Sequence, residues 1–592
     1  MLHHLEAYHD PAIRVKLQNE RTDGGISYVH VRMEADEEIS FPQVQLEWHY
    51  PAVNIQSYWH PGSFRSKSLG VDWGKGFSSK GTVVAPVGCF LSSDGRNRLA
   101  IAYSNAIETV TFNMGIREED GTIRCQITLF SEPSKPMKRY EGTIRIDQRD
   151  IPYEQAIQAI SSWYESMDAY RPCMIPDAAT FPMYSTWYSF HQELVDNEIE
   201  EQCRMAKEIG CDTVIVDDGW QTTDNQRGYA YCGDWEVAHQ KIGNMKEHVQ
   251  RVQAMGMKYI LWYSMPFIGL HSKAWDTYKD KMLLYREHLQ AGVLDPRYPD
   301  VREYLISTYE TALNEWGVDG FKLDFIDEFD LNKANEKAFK NDGRRDFDSV
   351  QEAVECLLEG IFARLHAKKA DVMIEFRQKY IGPFMRRFGN IFRVADCPND
   401  AVTNRVGTID LRLLSGNTAV HSDMLMWSPE DNVENAALQL INVLFAVPQF
   451  SMRFEKLPPE HFEMTKFWLK FWRENRDVLL FGDLRAEAPE LLYPNVHARN
   501  LSKVVMAVYG SPYVKVVEPG NKKLFIINGT LHHELVLDAD RELPDRVVEV
   551  YDCCGNLVHM APLAVQKVPH RLKVKPSGLV IITCLKCDTA PF

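Results

Sequence analysis

Eight short apolar runs between residues 183 and 452 constrain the fold of this chain more than any other feature of its sequence. Amphipathic helical patterns separate the runs, and strands that alternate with helices indicate a parallel sheet. Eight such units over roughly 300 residues fit a closed (β/α)8 barrel better than an open sheet. The predicted barrel strands are Met183–Trp187, Thr213–Val216, Tyr259–Tyr263, Gly320–Leu323, Val372–Phe376, Ile391–Val394, Ala419–His421 and Gln449–Met452.

Several of these runs end in acidic residues, at the edge where the active sites of barrel enzymes lie. The second run ends in Asp217 and Asp218. The fourth run contains Lys322 and is followed directly by Asp324. The two side chains project to the same side of a strand because they are two residues apart. The ammonium favours the ionised carboxylate, and an ionised, fixed carboxylate suits a nucleophile that attacks a sugar. A structural ion pair is the alternative interpretation.

The sixth run supplies a second candidate carboxylate. Asp396 follows Arg393 at the end of this run and faces Asp324 across the predicted pocket. Two carboxyls about 5–5.5 Å apart define a retaining glycosidase, with one as nucleophile and the other as acid/base. Asp400 is the alternative acid/base. We expect Lys322 to lower the pKa of Asp324, and burial near apolar residues to raise the pKa of Asp396.

In combination, these segments resemble the α-galactosidases of glycoside hydrolase family 36 and their relatives in clan D. The resemblance spans roughly residues 180 to 480 and lies in Asp217–Trp220, Phe321–Phe325 and Arg393–Asp396, with further likeness in Gly233–Glu236 and His421–Asp423. It implies a TIM-barrel catalytic domain between two β domains. It also implies exo-acting, retaining hydrolysis of α-galactosides in oligosaccharides, without a cofactor.

The resemblance assigns roles to individual residues. Asp324 matches the family nucleophile, and Lys322 matches a lysine that holds a substrate hydroxyl. Asp217 and Asp218 match carboxylates that bind the 4- and 6-hydroxyls of the sugar. Further substrate contacts are predicted for seven residues at the barrel mouth, which are Trp187, Trp220, Trp235, Trp262, Arg377, Arg393 and His421. For Trp235, packing within the protein is the alternative interpretation.

One segment departs from the family pattern. Many bacterial members have a cysteine and a glycine-rich turn after the fifth strand, whereas residues 373–380 here are bulky and charged. Arg377 either contacts the substrate or forms a salt bridge within the barrel mouth. Galactose and N-acetylgalactosamine therefore both remain open as the sugar, and transfer of galactose to another carbohydrate is an alternative to hydrolysis. A non-catalytic carbohydrate-binding protein on the same scaffold is the third alternative.

Composition restricts the partners. The net charge of −16 over 592 residues argues against a nucleic-acid partner. No run of about 20 apolar residues predicts a membrane span, and the first residues do not form a signal peptide. The 12 cysteines follow no disulfide or zinc pattern, so free thiols, no metal site and a cytoplasmic location are expected. Relatives often form oligomers, which favours a homo-oligomer.

The regions on either side of the barrel region show short strand patterns instead of strands that alternate with helices. Residues 1–175 show short alternating runs punctuated by Gly and Asn, which predicts an N-terminal β-sandwich. The catalytic barrel is assigned to residues 176–482. Residues 483–592 again show short strands and turns, which predicts a C-terminal antiparallel β-sandwich domain. The predicted fold class is therefore multidomain, α/β in the centre and all-β on both sides.

Overall fold

The N-terminal part of the chain is a sandwich of two antiparallel sheets in the computed structural model, which describes residues 5–21, 24–340, 342–377, 380–516, 522–539, 542–565 and 569–584. The sheets have the orders β1-β4-β10-β9-β6 and β2-β3-β11-β8-β7-β5. They share a core because alternate residues point inward, as in β10. The strands are β1 Glu6–Tyr8, β2 Ile13–Arg21, β3 Ile26–Ile39, β4 Val44–Pro51, β5 Ser57–Trp59, β6 Phe77–Ser79, β7 Val87–Leu91, β8 Asn97–Tyr103, β9 Val110–Ile116, β10 Thr122–Leu129 and β11 Met137–Asp147.

Eight parallel strands close into a barrel in the central part of the chain, which confirms the predicted fold class. Each predicted strand overlaps an observed one. The first ends at Ser185 rather than Trp187, because Trp187 begins a one-turn helix. The barrel strands, in order around the barrel, are β12 Met183–Ser185, β13 Thr213–Val216, β14 Lys258–Ser264, β18 Gly320–Asp324, β19 Met373–Arg377, β20 Ile391–Arg393, β21 Ala419–Leu425 and β22 Val447–Phe450.

Helices follow the barrel strands, and several begin where a side chain caps free backbone N–H groups. Asn244, Ser349, Asp400 and Asn432 each accept a hydrogen bond from the backbone three residues on. Gly210 ends one helix with a φ of 110°, a conformation that favours glycine. The helices are α1 Tyr153–Glu165, α2 Trp187–Phe190, α3 Asp196–Ile209, α4 Met245–Ala254, α5 Trp275–Tyr278, α6 Pro299–Trp316, α7 Val350–Lys368, α8 Ala401–Leu414, α9 Val433–Ile441, α10 Pro459–Glu474 and α11 Arg476–Phe481.

A small antiparallel sheet interrupts the barrel pattern after β14. Its order is β15-β17-β16. The sequence carries no local signal for this sheet, because each strand is short and lies within a single connection. Its strands are β15 Phe267–Gly269, β16 Met282–Arg286 and β17 Ala291–Leu294.

The C-terminal part forms a seven-stranded and a three-stranded sheet, in the orders β23-β24-β25-β27-β32-β29-β30 and β26-β28-β31. The prediction of a purely antiparallel domain is wrong at two pairs. Strands β25 and β27 are parallel, as are β26 and β28, because the chain crosses between the sheets before it returns to each. The strands are β23 Asp483–Glu487, β24 Asn495–Arg499, β25 Lys503–Val508, β26 Tyr513–Val516, β27 Lys523–Asn528, β28 Glu534–Ala539, β29 Leu543–Tyr551, β30 Leu557–Val565, β31 His570–Lys573 and β32 Leu579–Cys584.

The cysteines and the helices of the described residues bear on two predictions made from composition. Their 11 cysteines are all free thiols, whereas Cys587 lies outside the described residues. None of the helices in the described ranges combines the length and the apolar character needed to cross a membrane.

Asp410 on α8 joins the three parts of the chain. Its buried carboxylate accepts hydrogen bonds from Trp59 Nε1 and Lys67 Nζ of the N-terminal sandwich, each at 2.8 Å. It also accepts one from the hydroxyl of Tyr493, which precedes β24. Because α8 begins directly after the loop that carries Asp396, this contact also fixes one side of the barrel mouth.

We expect Asp410→Ala to lower the free energy of unfolding by about 3–5 kcal/mol, because it leaves a buried ammonium without its partner. Urea denaturation followed by tryptophan fluorescence measures the effect. The matched control is Asp168→Ala, whose carboxylate is 94% exposed, and which we expect to change stability by no more than about 0.5 kcal/mol. Equal denaturation midpoints for the two variants would contradict the assigned role.

Candidate active site

The predicted acids meet at the carboxyl ends of the barrel strands. Asp324 ends β18, Asp217 and Asp218 follow β13, and Asp396 lies three residues after β20. Asp217, Asp218 and Asp324 are buried, whereas the side chain of Asp396 is 37% exposed. This edge of the barrel therefore carries a group of carboxylates with one of them open to solvent.

Four donors hold the carboxylate of Asp324. Its Oδ1 accepts hydrogen bonds from Arg377 Nε at 2.6 Å, from the Tyr380 hydroxyl at 3.0 Å and from the Phe325 backbone N–H at 2.7 Å. Its Oδ2 accepts one from Trp262 Nε1 at 2.9 Å. Because Oδ1 is crowded by three donors from the described residues, Oδ2 is the oxygen with a lone pair left for a substrate.

The charges around Asp324 keep it ionised. Burial by itself would raise its pKa, but Arg377 and Lys322 hold the pKa below the ordinary value of an aspartate. The pKa of Asp324 is therefore lowered, as expected from the sequence. Arg377 is a larger cause than the lysine named in the sequence analysis.

Arg377 contacts both candidate catalytic acids. Its Nε bonds to Asp324, and its Nη1 lies 3.4 Å from Asp396 Oδ2. The guanidinium also packs over the ring of Phe325 at 5.1 Å. Of the two interpretations left open by the sequence, the structure shows the salt bridge within the barrel mouth. The same guanidinium links Asp324 and Asp396 at the barrel mouth.

The surroundings of Asp396 differ from the expectation. Its Oδ1 accepts a hydrogen bond from Arg393 Nη2 at 2.8 Å. Burial opposes ionisation, but Arg393, Arg377 and Lys322 together hold the pKa of Asp396 well below its usual range. The predicted rise from apolar burial is therefore wrong for the site without substrate, because the neighbours in space are arginines rather than the adjacent Val394 and Ala395.

Asp400 has a different position. Its Oδ1 accepts a hydrogen bond from the backbone N–H of Thr403 at 2.9 Å, which makes it the N-cap of α8. Its Oδ2 lies 3.4 Å from Arg65 of the N-terminal sandwich. One oxygen of Asp400 thus caps the helix, as capping carboxylates do. The other oxygen contacts the N-terminal sandwich.

Lys322 pairs with Asp217 rather than with Asp324. Its Nζ lies 2.6 Å from Asp217 Oδ2. The neighbouring Asp218 is bound on both oxygens by amides, from Gln192 and Gln221 at 2.7 Å each. Burial, and the charges of Asp217 and Asp324, raise the pKa of Asp218 to about 7. This side of the pocket presents a lysine and two carboxylates, a set that can bond sugar hydroxyls as donor and acceptors.

The tryptophans divide between the site and the packing around it. Trp262 is buried and positions Asp324 through its indole N–H. Trp220 is fully buried and donates its N–H to the carbonyl of Trp262 at 2.9 Å, so the predicted contact of Trp220 with a sugar is wrong. Trp235 is packed, with its ring 4.8 Å from that of Tyr263. Only Trp187 of the four is partly exposed, beneath the guanidinium of Arg227.

His421 and Arg393 also lie below the pocket, which corrects their predicted substrate contacts. The ring of His421 is buried, with Nε2 2.7 Å from the carbonyl of Ala179 and Nδ1 3.0 Å from Gln449. Burial lowers the pKa of His421 to about 4. Arg393 is fully buried and forms ion pairs with Asp396 and Asp423. From within the barrel it therefore orients the loop after β20 that carries Asp396.

Four contributors to the site were missed by the sequence analysis. Tyr380 bonds Asp324, Gln192 and Gln221 bond Asp218, and the Tyr188 hydroxyl bonds Asp423 at 2.9 Å. Gln221 follows Asp218 by three residues, whereas the other three are far in sequence from the acids that they bond. The nearest signal is their position, since each lies within a few residues of a strand end or in the connection that follows. Within the described ranges, no group of three or more His, Cys, Asp or Glu side chains could hold a metal ion.

Comparisons with known proteins show a likeness to α-galactosidases over part of the chain. Residues 171–377 match the family model described as Melibiase. The chain is similar to the bifunctional α-galactosidase/sucrose kinase AgaSK of Mediterraneibacter gnavus, with 25% identity over 151 residues, 24% of this chain and 16% of that protein. It is also similar to the α-galactosidase AgaA of Geobacillus stearothermophilus, with 27% identity over 137 residues, 22% of this chain and 18% of that protein. The matches thus span less than a fifth of either relative.

Solved structures extend the likeness to nearly the whole chain. A variant of AgaA in complex with raffinose superposes with a TM-score of 0.65 at 13% identity, over 96% of this chain and 81% of that one. An α-galactosidase from Lactobacillus brevis gives 0.64 at 13% identity, over 99% and 87%. The comparisons confirm the resemblance to the family 36 α-galactosidases.

Proposed function

We propose that this chain is a retaining, exo-acting α-galactosidase that removes terminal α-galactosyl residues from oligosaccharides. The observation that carries the proposal is the shared contact of Arg377 with Asp324 and Asp396. It brings two carboxylates on different strands to one pocket, as a double displacement at a sugar requires. The relatives with curated names are α-galactosidases, and one solved neighbour holds raffinose.

In the first step, Asp324 Oδ2 forms a bond to the anomeric carbon. The bond from that carbon to the leaving oxygen breaks, and Asp396 gives its proton to this oxygen. In the second step, Asp396 takes a proton from water, the water oxygen bonds to the anomeric carbon, and the ester bond to Asp324 breaks. Two inversions leave the released sugar in the α configuration.

The substrate itself supplies the condition for the first step. Asp396 is partly exposed and, without substrate, held ionised by Arg393 and Arg377. A bound sugar covers this carboxylate and removes its remaining water, which favours the neutral form. The acid is thus protonated in the complex. After Asp324 is esterified, its negative charge is gone, so the arginines act on Asp396 alone and favour its ionised form as a base.

The pocket suits a sugar that presents hydroxyls on one side. Asp217, Asp218 and Lys322 offer acceptors and a donor at the wall formed by β13 and β18. Trp187 is a partly exposed aromatic residue at the mouth. Arg377 ends β19, just before the position at which many family members have a glycine-rich turn, and its guanidinium lies against Asp324.

A panel of p-nitrophenyl glycosides tests the proposal. We expect turnover of the α-galactoside, little or none of the α-glucoside and none of the β-galactoside, with the α-anomer as first product in proton NMR spectra. A preference for the α-N-acetylgalactosaminide would keep the mechanism and change the sugar. A trisaccharide formed in excess sucrose would show transfer. Binding of sugars without turnover of any glycoside would overturn the proposal in favour of a binding protein.

A further inference from the structure

The interior of the barrel carries charges of alternating sign one layer below the catalytic acids. Lys322 on β18 and Glu375 on β19 are paired in register, and Arg393 lies on the next strand, β20. Barrel interiors are ordinarily filled by bulky branched side chains. A fully buried carboxylate between two cations is costly unless it is paired, so Glu375 requires an explanation that packing does not give.

The contacts of Glu375 fix it from the far side of the barrel. Its Oε2 accepts a hydrogen bond from Gln449 Nε2 at 2.6 Å. The same amide of Gln449 lies 3.0 Å from His421 Nδ1, and the other nitrogen of that ring lies 2.7 Å from the carbonyl of Ala179. A chain of buried polar groups thus anchors Glu375 to the segment that closes the lower end of the barrel.

The other oxygen of Glu375 faces Arg393. Its Oε1 lies 3.5 Å from Arg393 Nε, and neither atom has a hydrogen-bond partner among the described residues. Burial raises the pKa of Glu375, whereas Lys322 and Arg393 act in the opposite direction. The pair is therefore an electrostatic contact inside the barrel, at a distance that small movements can shorten.

Arg393 connects Glu375 to Asp396 and so to the loop after β20. Its Nη2 bonds to Asp396 at 2.8 Å, and its Nη1 bonds to Asp423. Asp423 in turn accepts a hydrogen bond from the backbone N–H of Cys397 at 2.6 Å. One guanidinium is thus surrounded by three carboxylates, of which only Asp396 reaches the pocket.

We propose that Glu375 is a positioning residue, which holds the guanidinium of Arg393 in place and offsets its positive charge at Asp396. The proposal rests on the proposed function, since Asp396 is the acid/base there. Glu375 has no exposed surface and does not touch the substrate. It acts on the reaction through Arg393.

The sign of the expected pH effect follows from the groups around Asp396. The cations that face it are Arg393, Arg377 and Lys322. The carboxylates that oppose them are Asp423 and, on the shared Arg377, Asp324. The nearby Tyr188 hydroxyl is neutral because burial raises its pKa. Removing the negative charge of Glu375 leaves these cations less compensated, so Asp396 loses its proton more readily and its pKa falls. Since the first step needs protonated Asp396 in the substrate complex, the alkaline limb of the kcat profile, which reports that complex, moves to lower pH.

The test compares Glu375→Gln and Glu375→Asp with the wild type. For Glu375→Gln we expect kcat to fall about 10–100-fold, as for other residues that orient a reacting group, with KM nearly unchanged. We expect its alkaline limb to move down by roughly one pH unit. Glu375→Asp keeps the charge and should return the limb towards its wild-type position. Glu154→Gln, at a buried glutamate of α1, is the matched control that should leave the limb in place.

A readout that needs no turnover separates this proposal from the proposed function. Titration calorimetry measures binding of the iminosugar 1-deoxygalactonojirimycin against pH, because this cationic ligand reports ionisation of the pocket carboxylates. A lower midpoint in Glu375→Gln than in the wild type supports the positioning role. An unchanged limb and an unchanged midpoint in a folded Glu375→Gln protein would overturn it. A wild type that neither turns over α-glycosides nor binds the iminosugar would overturn the proposed function and this inference with it.

Discussion

Replacement of Asp324 by asparagine is expected to reduce kcat/KM for the α-galactoside by at least about 10⁴-fold, since the covalent step then lacks its nucleophile. The three donors on Oδ1 can still bond the amide oxygen, and Asp396 remains as a charge partner of Arg377, so the fold should be retained. Steady-state kinetics with the p-nitrophenyl substrate measure the loss. Retention of most of the activity would show that another group attacks the sugar.

Asp324→Ala adds chemical proof to the same prediction. The shortened side chain leaves space for azide, which attacks the anomeric carbon from the face that Asp324 occupied. We expect azide to restore turnover of an activated α-galactoside and to give the β-galactosyl azide, because only one inversion takes place. Asp327→Ala, on the turn directly after β18, is the matched control: it should stay within about tenfold of the wild type and give no azide product. A β-azide from neither variant would contradict the assignment of Asp324.

The barrel could be predicted because its strands carry a local signal. Thr213–Val216 is β-branched and buried along its whole length, which is the pattern of a strand covered on both faces. The acids that terminate β13 and β18 mark the carboxyl edge in the same way. The small sheet of β15, β16 and β17 gave no such signal, because its strands are short and its pairing depends on the fold of one connection.

Side-chain partners were beyond the reach of the sequence. Lys322 was expected to act on Asp324, which lies two positions away. Its ion pair instead joins it to Asp217, which follows β13, a strand that is not the neighbour of β18 in the barrel. Trp220 follows two acids, which predicted that its ring contacts a sugar. The chain turns at Gly219, however, and the ring is buried. Such outcomes depend on which strands face each other and how far each side chain reaches.

The ionisation of Asp396 shows the same limit. Its neighbours in sequence are apolar, which predicted a raised pKa, whereas its neighbours in space include Arg377 from β19 and Arg393 below it. The sequence could supply the candidate acid but not its electrostatic environment. For the choice between Asp396 and Asp400, however, the structure offers a physical distinction, because only Asp400 is engaged as a helix cap.

Asp396→Asn is therefore expected to make the rate depend strongly on the leaving group. For an oligosaccharide such as raffinose, whose departing oxygen needs a proton, kcat/KM should fall about 10²–10⁴-fold. An aryl galactoside with an acidic phenol needs little help, so its first step should be far less affected, and the glycosyl-enzyme should accumulate. Azide should then accelerate the second step and give the α-galactosyl azide, since no base is needed to activate an anion and both inversions occur.

Asp400→Asn is the matched comparison, because it removes one charge from the same loop. An asparagine still caps a helix, and the contact with Arg65 is largely exposed to solvent, so stability should change by no more than about 1 kcal/mol. Turnover of both substrates should fall in parallel by only a small factor, and azide should give no α-azide. The reverse pattern, with leaving-group dependence and an α-azide in Asp400→Asn alone, would assign the proton transfer to Asp400. It would require the first turn of α8 to open when substrate binds, because that carboxylate caps the helix in the free protein.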